Sequence, residues 1–234
     1  MELLQAQEVV EIREEEESVY VKTADGNEYG ARAILVATGS TYRRLGAPGE
    51  DDLIGAGIHF CATCDGPFYK GKHVVVIGGG NSAGEESLFL TRFVDKATIL
   101  VRGEEMTASK VVIDKVKENP KIDVRHNTEV VEFHGENGKL SAVTVKNIKT
   151  GATEKLRPAG AFVFIGLKPN TGWLPSSIKR DRYGFIETNA MLETSVPGVF
   201  AAGDARKGST KQAASAVGEG ATAALMIREY LKSK

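Results

Sequence analysis

Cysteine is nearly absent from this chain of 234 residues: there are two, Cys61 and Cys64, and they sit together in CATCDG. None is left over for a structural disulfide framework, so a reducing compartment, the cytoplasm, is expected. No second Cys-x-x-Cys and no histidine pair supplies the other half of a four-ligand zinc site. His59, His73, His126 and His134 are scattered singly, and no metal is expected. A basic excess is also missing, since 30 Lys and Arg face 31 Asp and Glu for a formal charge of -1. That balance argues against a nucleic-acid partner, which needs a clustered positive surface. Apolar runs are too short to span a bilayer, and neither a leader nor a membrane partner is expected. The acidic run Glu14–Glu17 lies between strand-like segments and is expected to form a solvated hairpin tip.

What remains points to redox chemistry. A Cys-x-x-Cys spacing lets two thiols close a small ring and depresses one thiol's pKa, so that a thiolate is available near neutral pH. Fourteen residues after Cys64 the apolar run HVVVI leads into GGGNSAGEE, Gly78–Glu86. A dithiol beside a dinucleotide loop suggests electrons passing between a nucleotide and a disulfide.

The organisation is α/β. The opening stretch alternates as an antiparallel meander, with Asp25-Gly26 as a hairpin signal, and feeds a buried strand AILVAT, 33–38. Strand and helix then alternate: HVVVI, a helix from Asn81 to about Phe93, a strand Ala97–Val101, a helix Ser109–Asn119 and a strand Ile122–His126. Right-handed crossovers would make that sheet parallel. A second meander covers Glu129–Lys155. After the break at Pro158-Ala159-Gly160 come the strands FVFIG and VFAAGD, then a long helix Gln212–Leu231. The pattern implies a middle domain, 48–159, inserted into an outer domain built from 1–47 and 160–234.

Within the loop, Gly78-x-Gly80-x-x-Ala83 has the small residues that let a pyrophosphate approach the backbone at a helix N-terminus. Arg102 closes the second strand, where a cation favours a ribose 2′-phosphate and an acid a 2′-hydroxyl. Glu104 and Glu105 follow it, so the signal is mixed. Gly203-Asp204 ends a strand, where a carboxylate suits sugar or ribityl hydroxyls or else caps a turn. The helix after KQAAS is positioned either to face a flavin with its N-terminus or simply to pack closely. Asp65 can shuttle the proton of thiol–disulfide exchange or form an Asp-Gly turn with Gly66.

From about Val19 onward these motifs resemble the low-molecular-weight thioredoxin reductases. CATCDGPFYKGKHVVVIGGGNSAGEES, FVFIGLKPNT, TSVPGVFAAGDAR and KQAASAVGEG fall in that family's order and spacing. The resemblance implies two Rossmann-like three-layer nucleotide-binding domains, the outer one for FAD. It implies a homodimer that takes a hydride from NADPH and passes electrons through FAD and the dithiol to a thioredoxin-like protein. By the same resemblance Cys64 would lie next to the flavin, Cys61 would attack the substrate disulfide and Asp65 would be the acid. Thr38, Gly39, Gly203, Asp204, Gln212 and Ala213 would lie at FAD. Gly78, Gly80, Asn81, Ser82 and Ala83 would hold the pyridine nucleotide, with Arg102 at its ribose.

Two departures from the family pattern matter. Where the family shows His-Arg-Arg and a further arginine, this chain has Val101-Arg102-Gly103 and then Thr107, so NADH or another donor, ferredoxin or a reduced flavin, competes with NADPH. The N-terminal βαβ unit with the Gly-rich FAD loop is missing, so the outer domain is expected to be N-terminally truncated, with apolar faces exposed. The alternatives are a flavin-poor remnant without activity and a related peroxiredoxin-reducing flavoprotein, whose motif reads Cys-Pro-His-Cys rather than Cys-Ala-Thr-Cys.

Overall fold

A computed structural model describes residues 3–15 and 18–233. Two compact units divide the chain, one made of its two ends and one of residues 42–166. The chain opens with β1 (Val9–Glu15), β2 (Ser18–Thr23) and β3 (Glu28–Ala31), an antiparallel sheet in that order. Asp25 closes the β2–β3 turn by accepting from the Thr23 hydroxyl at 2.6 Å, as the Asp-Gly signal leads one to expect. The tip of the β1–β2 hairpin, at 16–17, lies outside the described residues. Two short strands follow, β4 (Ile34–Val36) and β5 (Ser40–Tyr42).

The second unit begins with β6 (Ile58–His59) and a four-residue helix α1 (Ala62–Asp65) that carries the cysteines. Then come β7 (His73–Ile77), α2 (Asn81–Leu90), β8 (Lys96–Leu100), α3 (Lys110–Glu118) and β9 (Ile122–Arg125). The antiparallel strands β10 (Thr128–Glu136), β11 (Lys139–Asn147) and β12 (Thr153–Leu156) precede β13 (Gly160–Val163). The five-stranded sheet runs β6-β13-β7-β8-β9, with every pair parallel at its core.

Three layers result, and the composition of β7 shows why. Val74 and Val76 pack with Leu90, Val112 and Val116 of the helices, while Val75 and Ile77 pack with Phe133 and Val143 of the antiparallel meander. A strand buried on both faces reads as an unbroken apolar run, which is the HVVVI pattern. Gly84 lets the two helices close, since a Cβ there would stand 2.4 Å from Val112 Cγ1.

The unit boundary differs from the sequence expectation. Gly160–Val163 belongs to the parallel sheet, paired with β7 along its length, and the chain leaves this unit only after Gly166. Leu45 and Ala47 also pack against the inner core. The Pro-Ala-Gly stretch therefore acts as the turn into β13 and not as a linker.

The remaining elements are β14 (Leu167–Pro169), β15 (Val199–Ala201) and α4 (Ala213–Lys232). β15 pairs parallel with β4, and Ile12, Val19, Val36, Leu174, Ile178, Ile186 and Val199 form a core for this unit. Of the twenty residues of α4 only Ala223 is fully buried, and Val217 is 73% exposed. Leu225 of the same helix is also exposed.

Candidate active site

The four-residue helix α1 sets the geometry of the dithiol. Cys61 is its N-cap and Cys64 lies in its single turn, which brings their Cα atoms to 5.3 Å and joins the two sulfurs in a disulfide. The Cys64 N–H points at Cys61 Sγ, 3.1 Å away. A backbone N–H aimed at a sulfur favours its thiolate once the bridge is reduced. Cys64 is exposed and Cys61 half-buried, so the pair meets solvent along one side.

Asp65 ends the same turn and stays partly open to solvent. Its Oδ2 lies 3.4 Å from His59 Nδ1, and the far nitrogen of that ring is 2.6 Å from Tyr69 Oη. Burial pushes the His59 pKa down, and the Asp65 charge opposes that push. Burial and the same carboxylate both raise the Tyr69 hydroxyl. Neither His59 nor Tyr69 was among the expected site residues. The only available signal was the position of His59 two residues before Cys61.

The expected dinucleotide loop stands where β7 and β13 end. The chain proceeds from β7 to β8 and β9 on one side and returns through β13 on the other, so a crevice opens between them, the place where such sheets bind ligands. Gly78 has φ +141°, and a Cβ there would come within 2.4 Å of the Phe164 carbonyl oxygen. Gly80 caps α2 and borders open space, its nearest neighbour Thr107 Oγ1 at 3.9 Å from an added Cβ. Helical hydrogen bonding begins with Gly84 N–H to Gly80 O at 3.1 Å, which leaves the first-turn N–H groups at Asn81, Ser82 and Ala83 facing outward along the dipole. Asn81 itself is engaged, accepting the Ser109 N–H at 2.6 Å. A cradle of this shape fits a nucleotide pyrophosphate.

At the end of β8, Arg102 is exposed and has no ion-pair partner among the described residues. Glu104 pairs with Lys149 at 2.6 Å, both side chains exposed. Thr107 fastens the loop, its N–H donating to Gly79 O at 2.7 Å.

The other group of expected residues lies in the outer unit. Gly203, with φ +73°, and Asp204 turn out of β15. Asp204 Oδ1 is buried and has no hydrogen-bond partner among the described residues. An orphaned carboxylate oxygen fits a ligand hydroxyl, and so a ribityl chain. Glu219 of α4 holds the turn, accepting from Gly203 N–H at 2.7 Å and from Arg206 through Nε at 3.1 Å and Nη2 at 2.7 Å. Those Arg206 bonds keep the Glu219 carboxyl below its usual range. Lys211 Nζ donates to the backbone oxygens of Asp204 and Arg206, both at 2.8 Å. Gln212 caps α4 and Ala213 begins it, both exposed.

Thr38 and Gly39 sit on a different support. The Thr38 hydroxyl donates to Asn170 O at 2.8 Å, Asn170 Nδ2 returns to Thr38 O at 2.9 Å, and the Asn170 N–H reaches Gly39 O at 3.0 Å. Glu219 and Asn170 were not among the expected site residues, although KQAASAVGEG and FVFIGLKPNT contain them. Among the described residues no group of three or more His, Cys, Asp or Glu could hold a metal ion, and no helix is long and apolar enough to cross a membrane.

Residues 1–220 match the family described as pyridine nucleotide-disulphide oxidoreductase. A thioredoxin reductase of Treponema pallidum is 42% identical over 215 residues, 92% of this chain and 69% of that protein. One from Bacillus subtilis is 41% identical over 212 residues, 91% of this chain and 67% of that protein. The chain thus spans about two thirds of the length of these relatives. The crystal structure of a thioredoxin reductase from Streptococcus pyogenes superposes with a TM-score of 0.92 at 36% identity, covering 97% of this chain and 74% of that one.

Proposed function

The chain belongs to the pyridine nucleotide-disulphide oxidoreductases and is of the thioredoxin reductase type, and from that premise we propose that it reduces the disulfide of a thioredoxin-like protein through Cys61 and Cys64. The observation that carries this reading is the Cys61–Cys64 bridge on a single helical turn, with Asp65 adjacent and a dinucleotide cradle in the same unit. FAD, when bound, carries two electrons from a nicotinamide nucleotide to the bridge. Asp204, Gly203, Gln212 and Ala213, with Thr38 and Gly39, would hold it, and the buried free oxygen of Asp204 supports that assignment. Gly78, Gly80, Asn81, Ser82 and Ala83 would hold the nicotinamide nucleotide, with Arg102 toward its ribose. Cysteine usage supports a reducing cytoplasm, and the family resemblance supports a homodimer.

In the reduced protein the Cys61 thiolate attacks one sulfur of the substrate disulfide. That S–S bond breaks as the mixed disulfide forms, and Asp65 gives its proton to the departing thiolate. Cys64, losing its proton, then attacks Cys61 Sγ, which releases the second substrate sulfur as a thiol and restores the Cys61–Cys64 bridge. Two protein thiols are oxidised and one substrate disulfide is reduced.

The test is flavin content and turnover of the purified chain. Near one FAD per polypeptide, with reduction of a thioredoxin disulfide by a nicotinamide nucleotide, is the expected result, and Asp204→Ala should lose most of the flavin. No flavin and no turnover, even with FAD added, would leave the flavin-poor remnant as the better reading.

Arg102 is unpaired among the described residues, but Val101, Gly103 and Thr107 around it carry no charge, which favours a donor other than NADPH alone. Each good charged contact is worth about 1.5–3 kcal/mol, and two of the family's three are replaced. NADPH and NADH should therefore give kcat/KM values within about one order of magnitude of each other, a tenfold ratio being roughly 1.4 kcal/mol. A hundredfold preference for NADPH would overturn this, and inertness with both would point to ferredoxin or a reduced flavin.

A further inference from the structure

Behind the dithiol lies a buried polar chain that the exchange reaction does not account for. His59 ends β6, two residues before Cys61, and its ring is 9% exposed. One nitrogen faces Asp65 Oδ2 at 3.4 Å and the other meets Tyr69 Oη at 2.6 Å. The ring is fixed by packing as well. Its centroid lies 5.4 Å from that of Phe162 and 5.3 Å from that of Tyr69, and those two rings are 5.5 Å apart, edge to face. Tyr69 in turn leans over Gly160, where a Cβ would stand 2.4 Å from its ring.

The groups facing His59 are therefore Asp65 from α1, the Tyr69 hydroxyl from the turn that follows, and the apolar Phe162 from β13. Lys72 lies over the outer face of the Tyr69 ring at 5.9 Å. A neutral imidazole holds one proton, and this arrangement uses both of its nitrogens. With Asp65 ionised, Nδ1–H donates to the carboxylate and Nε2 accepts from Tyr69. With Asp65 protonated, the chain reverses, Asp65 donating to Nδ1 and Nε2–H to Tyr69 Oη. Either state of the acid finds a matched partner without moving a side chain.

We propose that His59 is a positioning residue for Asp65: clamped by Tyr69, it orients the carboxyl beside the Cys61–Cys64 pair and sets the proton equilibrium of the reduced dithiol. The proposal rests on Asp65 as the acid of thiol–disulfide exchange and adds the element that holds and tunes it. A partly exposed carboxylate has several rotamers available. A donor fixed in the protein interior selects one and spreads its charge, which lessens repulsion of a neighbouring thiolate.

The experiment uses the purified chain reduced with a phosphine, and follows iodoacetamide alkylation of Cys61 and Cys64 against pH by mass spectrometry. It needs neither flavin nor nucleotide, so its outcome is independent of whether the chain turns over a protein substrate. His59→Asn keeps an N–H near the Nδ1 position and should retain the wild-type profile. His59→Gln keeps only the side facing Tyr69, and its thiolate midpoint should rise by about half a pH unit, roughly a threefold slower alkylation below the midpoint. Superimposed profiles for His59→Gln and wild type would overturn the proposal, as would equal shifts in His59→Gln and His59→Asn, the mark of a merely structural ring. A second measurement does not depend on variants of a buried residue. The His59 ring-proton titration should move to lower pH in Asp65→Asn, since the carboxylate supports the charged ring, and an unchanged titration would refute the coupling.

Discussion

On the proposed roles, Cys64→Ser should leave a protein that reacts with a disulfide substrate once and then stops. Cys61 Sγ should still attack, but no second thiol would stand within reach to break the mixed disulfide, because the pair lies on one four-residue turn and the chain has no other cysteine. Turnover should fall by roughly a thousandfold or more, the scale seen when a nucleophile that acts as part of a unit is removed. A covalent adduct with the substrate should accumulate and be visible by mass spectrometry. Serine at Cys61 should abolish turnover equally and trap far less adduct. A trap that forms on Cys64 and not on Cys61 would reverse the two roles. The Cys64 N–H directed at Cys61 Sγ is the physical reason for expecting Cys61 as the attacking thiolate.

The second large effect concerns two glycines of one loop, which should behave differently. At Gly78 a methyl group meets the Phe164 carbonyl oxygen at 2.4 Å, and the backbone sits at φ +141°, where L side chains are strained. β7 and β13 must part to admit it, and their pairing is the centre of the sheet. Gly78→Ala should destabilise the protein by about 3 kcal/mol or more, measured by urea unfolding. At Gly80 the backbone is ordinary, with φ −87°, and an added methyl group finds nothing closer than 3.9 Å. Gly80→Ala should cost at most about 1 kcal/mol of stability, the scale of an N-cap change. It should nonetheless weaken nicotinamide nucleotide binding tenfold or more, because on the proposed assignment the methyl group would occupy the space the pyrophosphate needs. Equal stability losses in the two variants would contradict the geometry of the crevice.

The two glycines also illustrate what could be read in advance. Their spacing, the apolar run before them and the helix after them identify the loop from local pattern alone. What each glycine does is not local. Gly78 is demanded by a carbonyl eighty-six residues on in the chain, whereas Gly80 has room for a methyl group in the protein itself. The strand Gly160–Val163 shows the same limit: its composition announces a buried strand, yet nothing in it tells which sheet it enters. Only the fold decided that it enters the parallel sheet between β6 and β7.

β5, β6, β14 and the short helix α1 had no signal in the local pattern. The sequence by itself determined the longer strands and helices, the glycine-rich turn and the single dithiol. These follow from burial periodicity, from helix and turn chemistry, and from the presence of only two sulfurs to pair. Tertiary structure alone decided that His59 meets Asp65 and Tyr69, that Asn170 supports Thr38, and that Glu219 holds the Gly203 turn. Polar partners of this kind are chosen by where the backbone brings a donor within reach of an acceptor, and that distance depends on the path of the whole chain.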